Sequence, residues 1–191
     1  MSDRQRLILE AAVRVIAQSG VRGLRVEKLA AEAGVSTALI YYHFEDRAGL
    51  MRRTLGFVNE RADRYTEEAR AIGEDPRAQL ELLLLLELQD TPVVRENSAA
   101  WGELRASAVF DRDLREPLRS STREWADELA DMIRQAQAAG LAAAEAEPTD
   151  AAERLTALVE GLSERWLSDS ISLERARELL KGAVAAELGR R

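Results

Sequence analysis

No cysteine occurs in the 191 residues, so disulfide bonds and thiolate metal sites are excluded outright. Histidine is almost as scarce. His43 is the only one, which rules out a histidine-rich metal site and any Cys/His catalytic pair. Strand signals are nearly missing as well: β-branched runs are few, and alanine, leucine, arginine and glutamate dominate, so the expected fold class is all-α. No run approaches the roughly 18 consecutive apolar residues of a membrane span. The N-terminus carries no apolar stretch fit for a signal peptide. The expected compartment is the cytoplasm, with no membrane among the partners. Acidic pairs are plentiful, but they follow ordinary Glu/Arg patterning on solvated helix faces. No catalytic residue, cofactor or metal is therefore expected, and the chain does not read as an enzyme.

The charge is unevenly spread. The net value of −7 would argue against a nucleic-acid partner if it were uniform. Residues 1–55, however, hold nine Lys+Arg against six Asp+Glu, whereas residues 56–191 hold 18 against 28. A basic N-terminal part followed by an acidic remainder is the distribution that phosphate binding at one end requires.

Within that basic part, the stretch from Arg25 to Leu50 organises the rest. Val26, Leu29, Ala30 and Ala33 recur at helical spacing and predict a short helix with one apolar face. Gly34 follows its end, where a residue without Cβ can take the left-handed conformation. Val35 is an apolar plug in the turn, and Ser36 is placed to N-cap a second short helix. In that helix Ile40 and Phe44 point inward with Val35, while Thr37, Ala38, Tyr41 and Tyr42 fall on the opposite side. Two short helices joined by a glycine turn, the second exposing small and aromatic polar residues, form the pattern of a helix-turn-helix. Partly buried tyrosine and histidine would be the ordinary reading of Tyr41, Tyr42 and His43. Their position directly after a capped turn, on one face with Thr37 and Ala38, favours DNA.

The run AGVSTALIYYHFEDRAGL, from Ala33 to Leu50, resembles the signature of the TetR (tetracycline-repressor) family of bacterial regulators. The likeness is detailed from about Arg4 to Leu55 and architectural beyond. Two positions depart from the family pattern: Arg25 stands where threonine is usual, and Ala38 where glycine or proline is frequent. The resemblance implies that Thr37, Ala38, Leu39 and Tyr41 face base edges, and that Tyr42, His43 and Arg47 contact phosphates. The chemistry agrees, since a phenol or imidazole N–H can donate to a phosphate oxygen and Leu39 can meet a thymine methyl. Ser36 in the turn and Arg25 complete the expected DNA-binding set. The bland alternative for Arg25 is a solvated surface arginine.

Helix signals punctuate the rest of the chain. Ser2 and Gln5 match a capping box ahead of Leu7, Ile8, Ala11, Ala12, Val15 and Ile16, with Gly20 closing that first helix. Asp46 caps a long fourth helix that continues past Val58 and Tyr65 toward Ile72, with Gly73 as its stop. Asp75-Pro76 and Thr91-Pro92 are two further starts. The first opens a leucine-rich helix, apolar nearly all round from Leu80 to Leu88, a pattern that predicts burial on several sides. Asp113 with Glu116 predicts a capping box for a helix ending at Gly140, and residues 141–149 read as a connection. Asp150 with Glu153 predicts the next start, and Ser172 the last. About nine helices result. The expected division is residues 1–46 as a helix-turn-helix DNA-binding domain and residues 47–191 as a helical effector-binding and dimerisation domain.

The last two helices each carry a broad apolar face. Leu155, Leu158, Leu162 and Trp166, with Ala176, Leu180, Ala183 and Val184, are the expected homodimer interface, as in the family's four-helix interface. Family analogy also places a mostly apolar effector pocket between helices of the larger domain, for which Tyr65, Trp101, Phe110, Trp125 and Met132 are candidates. Each of these aromatics taken singly is more often core than ligand contact. The stretch Ala157–Leu162 resembles the subgroup that includes the choline-responsive betaine-gene regulators, and it identifies no ligand residue. Together these readings predict a dimeric repressor of a palindromic double-stranded DNA operator, released when a small, largely apolar effector binds. The competing class is a helical adaptor that kept the motif but lost DNA binding or effector response.

Overall fold

Helix starts in this chain are set by short polar side chains that satisfy otherwise orphaned backbone N–H groups. The computed structural model describes residues 1–72 and 74–189. Its helices are α1 (Asp3–Gly23), α2 (Val26–Ala33), α3 (Thr37–Phe44), α4 (Arg47–Ile72), α5 (Pro76–Leu86), α6 (Pro92–Ala108), α7 (Arg115–Ala138), α8 (Pro148–Leu167) and α9 (Leu173–Leu188). Among the described residues there is no strand. The expected stop at Gly73 lies outside them. Ser2 and Gln5 form the predicted capping box: Ser2 N–H donates to Gln5 Oε1 at 2.9 Å and Gln5 N–H to Ser2 Oγ at 3.3 Å. Asp75 and Ser172 also cap as predicted, accepting from Ala78 N–H at 2.7 Å and from Arg175 N–H at 3.1 Å.

Two starts differ from expectation. Asp113 and Glu116 form no box. Instead Asp111 accepts from Asp113 N–H at 3.0 Å and nucleates a 3₁₀ turn at Arg112–Leu114 that runs directly into α7. Asp150 does not open α8 either. The helix begins two residues earlier at Pro148, with Glu147 in the capping position and no side-chain bond to it. Proline's fixed φ suits the first helical residue, so it overrides a carboxylate lying further on.

The chain divides into two compact units, Met1–Arg61 with Glu96–Ser121, and Ala62–Arg95 with Thr122–Arg191. More of the chain groups with the helix-turn-helix than a cut after Asp46 would give. One core explains this: Ile8, Leu9, Val15 and Ile16 of α1, Leu29 of α2, and Ile40 and Phe44 of α3 pack with Leu50, Met51, Leu55 and Phe57 of α4 and Leu104 of α6. Burying faces from every one of these helices in one cluster ties them into one unit. Polar side chains are tied in at its edge: buried Asn97 Nδ2 donates to Val58 O at 3.0 Å, and half-buried Asn59 Nδ2 to Ser121 Oγ at 2.6 Å. α1 does not simply close at Gly20. It breaks there, at φ 68 and ψ 171, and resumes for a last turn to Gly23.

The second unit is built on leucine. Leu80, Leu83, Leu84 and Leu88 are buried and Leu82, Leu85 and Leu86 partly so, which makes α5 the expected helix enclosed on several sides. It packs with Leu129 and Ile133 of α7, Val159 of α8 and Leu188 of α9. Buried Arg77 ties this unit's end together. Its Nη1 donates to Leu141 O at 2.9 Å and Leu188 O at 3.2 Å, its Nη2 to Gly189 O at 2.7 Å, and its Nε to Glu81 Oε1 at 3.0 Å. The guanidinium thus satisfies carbonyls that the end of α9 leaves orphaned.

The same core corrects the expected interface. Leu155, Leu162, Trp166, Ala176, Leu180 and Val184 are all buried within this single chain, and Arg95 covers Trp166 with its guanidinium 5.0 Å from the ring. Only Leu158 and Ala183 of the expected set remain partly exposed. An amphipathic pattern says that a face is buried, not against what. The outer faces of α8 and α9 instead carry Ala157, Leu158 and Gly161, and Leu179, Gly182, Ala183 and Ala186. A Cβ built on Gly161 or Gly182 meets nothing within 4 Å.

A candidate nucleic-acid interface on the third helix

The turn between α2 and α3 is built as its residues dictate. Gly34 sits at φ 64 and ψ 35, a left-handed conformation that glycine adopts without a Cβ clash. Val35 N–H returns to Ala30 O at 3.0 Å, closing the end of α2. Ser36 Oγ then accepts from Leu39 N–H at 3.2 Å and starts α3. Ile40 and Phe44, four apart, are buried and hold α3 to the core, with Val35 packed against the same cluster. The other side is left in solvent: Ser36, Thr37, Ala38, Tyr41 and Tyr42 are exposed, Tyr42 to 80%. Leu39 and His43 are half-buried at its margins, and the Tyr42 and His43 rings meet edge-on at 5.1 Å. The predicted reading face is thus one continuous surface.

The exit from α3 fixes its angle. Glu45 takes a positive φ of 61, and Asp46 Oδ1 accepts from Gly49 N–H at 2.7 Å to cap α4. A Cβ on Gly49 would stand 2.4 Å from Phe44 O. Only glycine lets α4 fold back this closely on the end of α3, a requirement that the sequence reading missed because the glycine lies inside a helix.

Arg47 does more than expected. Its Nη2 donates to Val21 O at 2.9 Å, fastening the start of α4 to the link between α1 and α2. The residue is otherwise exposed, so its remaining donors still face solvent. Arg25 is exposed at the start of α2 and its side chain makes no cap there. Two other cations of the unit are engaged with neighbours, Lys28 Nζ with Ser19 Oγ at 2.6 Å and Arg14 Nε with Glu32 Oε1 at 2.8 Å.

The five effector-pocket candidates are divided between the two units. Trp101 packs half-buried on the core of the first unit, 5.6 Å below the Arg105 guanidinium. Phe110 belongs to that unit too and is 85% exposed. It lies beyond the end of α6 at Ala108. Tyr65, Trp125 and Met132 lie in the second unit, Met132 buried and Trp125 packed on the leucine core. Tyr65 donates its hydroxyl to Glu87 Oε2 at 2.7 Å. Burial pushes the Glu87 carboxyl up to about 7, against the lowering effect of that bond and with Asp63 adding repulsion. Glu87 went unnoticed in the sequence, where it reads as one more glutamate at a helix end. Among the described residues no helix is long and apolar enough to cross a membrane.

Comparison with known proteins agrees with this geometry. Residues 8–54 match the model of the bacterial regulatory proteins of the tetR family, and residues 76–189 match that of the BetI-type transcriptional repressor C-terminal region. A putative TetR-family transcriptional regulator from Rhodococcus sp. is 49% identical, covering 99% of this chain and 100% of its own, with a TM-score of 0.92. A putative transcriptional regulator from Saccharomonospora viridis, solved in complex with choline, is 27% identical over 100% of both chains at a TM-score of 0.86. The HTH-type transcriptional regulator BetI of Burkholderia mallei is 27% identical over 176 residues, 90% of this chain and 84% of that protein. An exposed α3 face on a capped turn, within a chain matched along most of its length, leads to one conclusion: the chain belongs to the TetR family and is a DNA-binding transcriptional regulator, not an enzyme.

Proposed function

We propose that the protein acts as a homodimeric repressor in the cytoplasm, seated on a palindromic operator, and leaves it when a small molecule binds its second unit. The observation that carries this reading is the division of α3 into a buried side, Ile40 and Phe44, and an exposed side, Thr37, Ala38, Tyr41 and Tyr42. Thr37, Ala38, Leu39 and Tyr41 are assigned to base edges in the major groove. Tyr42, His43 and Arg47 are assigned to phosphates, with Arg25 beside them.

The dimer is assigned to the outer faces of α8 and α9. Two mid-helix glycines, Gly161 and Gly182, each weaken their helix by roughly 1 kcal/mol relative to alanine, and each faces open space in the protomer. A second copy approaching closely over these small residues gives them a purpose. Two α3 helices spaced by such a dimer match half-sites about 34 Å apart.

The effector is a small molecule bound among the helices of the second unit. The interior there is largely leucine, which suits an apolar body, and the choline complex of the Saccharomonospora viridis protein makes small quaternary ammonium compounds the first class to test. Binding favours a state in which α4 shifts and the recognition helices no longer match the operator, a population shift. A gel shift on the operator tests the reading. Choline or a related compound that raises the protein's melting point is expected to release the DNA over the same concentration range. A stabilising ligand that leaves the complex intact would overturn the regulatory part.

A further inference from the structure

The link between α1 and α2 is held from α6. Gly20 adopts φ 68 and ψ 171, a region essentially reserved for glycine, and this breaks α1 one residue before Val21. The break deprives Val21 N–H of its helical acceptor, and Val21 is buried at 7% exposure, so water cannot readily replace it. Glu103 supplies the acceptor: its Oε2 lies 3.1 Å from Val21 N, across 82 residues of sequence. A Cβ built on Gly20 would sit 2.7 Å from that same oxygen, so the carboxylate occupies the space that any side chain at position 20 would need. On the other side of the same residue, Val21 O accepts from Arg47 Nη2 at 2.9 Å. Val21 is therefore gripped by a carboxylate at its N–H and by a guanidinium at its carbonyl.

We infer that Glu103 is a positioning residue for operator binding: by capping the resumed last turn of α1 it fixes the link that aims α2 and α3, and with it the anchor of Arg47. This role rests on the operator-binding reading above. Glu103 does not touch DNA. It acts through Val21, whose placement sets both the direction in which α2 leaves and the point from which Arg47 reaches a phosphate. The hydrogen bond is charge-assisted and partly buried, and so is of the stronger kind.

The test uses the full-length protein and compares wild type with Glu103→Ala, Glu103→Gln, Arg47→Ala and the Glu103→Ala/Arg47→Ala double variant. Glu103→Ala is expected to keep its helical circular dichroism, to speed amide exchange at Val21 at least tenfold, and to weaken operator binding about tenfold. Glu103→Gln, which retains a carbonyl acceptor at that place, is expected to recover most of the affinity. The double variant is expected to lose less than the product of the two single losses, because both act through Val21. A merely structural glutamate would lower the melting point while its losses multiplied with those of Arg47→Ala. That result, or an operator affinity for Glu103→Ala equal to wild type, would overturn the role alone. Wild type that binds no duplex would overturn the operator reading and this role with it.

Discussion

Glu87 offers the sharpest energetic test of the second unit. Its carboxyl is half-buried beside Asp63 and bonded to the Tyr65 hydroxyl, and its folded-state value is about 7 against an ordinary 4.5. A raised carboxyl binds its proton more tightly folded than unfolded, so stability must fall as pH rises between these two values. The difference corresponds to on the order of 3 kcal/mol, an upper bound because the residue keeps some contact with solvent. The loss is absent below pH 4.5 and complete above pH 7. Glu87→Gln keeps an acceptor for Tyr65 and removes the charge. Melting curves at fixed protomer concentration should therefore show the variant several degrees more stable than wild type at pH 8, and nearly equal to it at pH 5. Equal midpoints at pH 8, or a gap that does not change with pH, would refute the argument that burial of this carboxylate costs stability.

Other expectations follow from the contacts. Arg47→Ala should weaken binding to all duplexes and lower the salt slope by roughly one unit, while Arg47→Lys should keep the slope but loosen the link at Val21, seen by amide exchange. Leu180→Glu should abolish cooperative folding, since the position is fully buried in its own protomer and an uncompensated carboxylate there costs several kcal/mol. Gly182→Arg, on the open face of α9, should instead keep the circular dichroism, run as a monomer by light scattering and bind the operator poorly; a stable dimer would place the interface elsewhere. Arg77→Ala leaves the carbonyls of Leu141 and Gly189 without the Arg77 donor, and Leu188 O with only Ala143 N–H, and should cost about 3 kcal/mol, read as a lowered midpoint and faster exchange near the end of α9.

What could be read from the sequence was local. Ser2, Ser36, Asp75 and Ser172 announced their helices because a cap and its N–H lie within three residues of each other. The inward pair Ile40 and Phe44 followed from helical spacing, and so did the exposed face opposite. Where two caps competed, as Asp111 with Asp113, proximity in sequence did not decide between them. Contacts between distant residues were invisible: nothing near Glu103 announces Val21, and nothing near Arg77 announces the end of α9. The expected interface residues lie in the protomer's own core for a related reason. α8 and α9 each have an inner and an outer face, and the stronger apolar signal, from Leu155 to Val184, belonged to the protomer's own core. The pocket aromatics were candidates by family analogy alone, and an aromatic at helical spacing serves a core as readily as a ligand.

The central claim is that the exposed face of α3 reads DNA. Footprinting of the wild-type protein on its selected operator tests it most directly, alongside Thr37→Ala and Tyr42→Ala. Both side chains are exposed, so neither change should unfold the protein. The account predicts a palindromic footprint with half-sites about one helical turn apart. Thr37→Ala should relax base preference at one position in each half-site, and Tyr42→Ala should weaken all sequences alike. Protection of a single asymmetric site, or a footprint that neither variant alters, would contradict it.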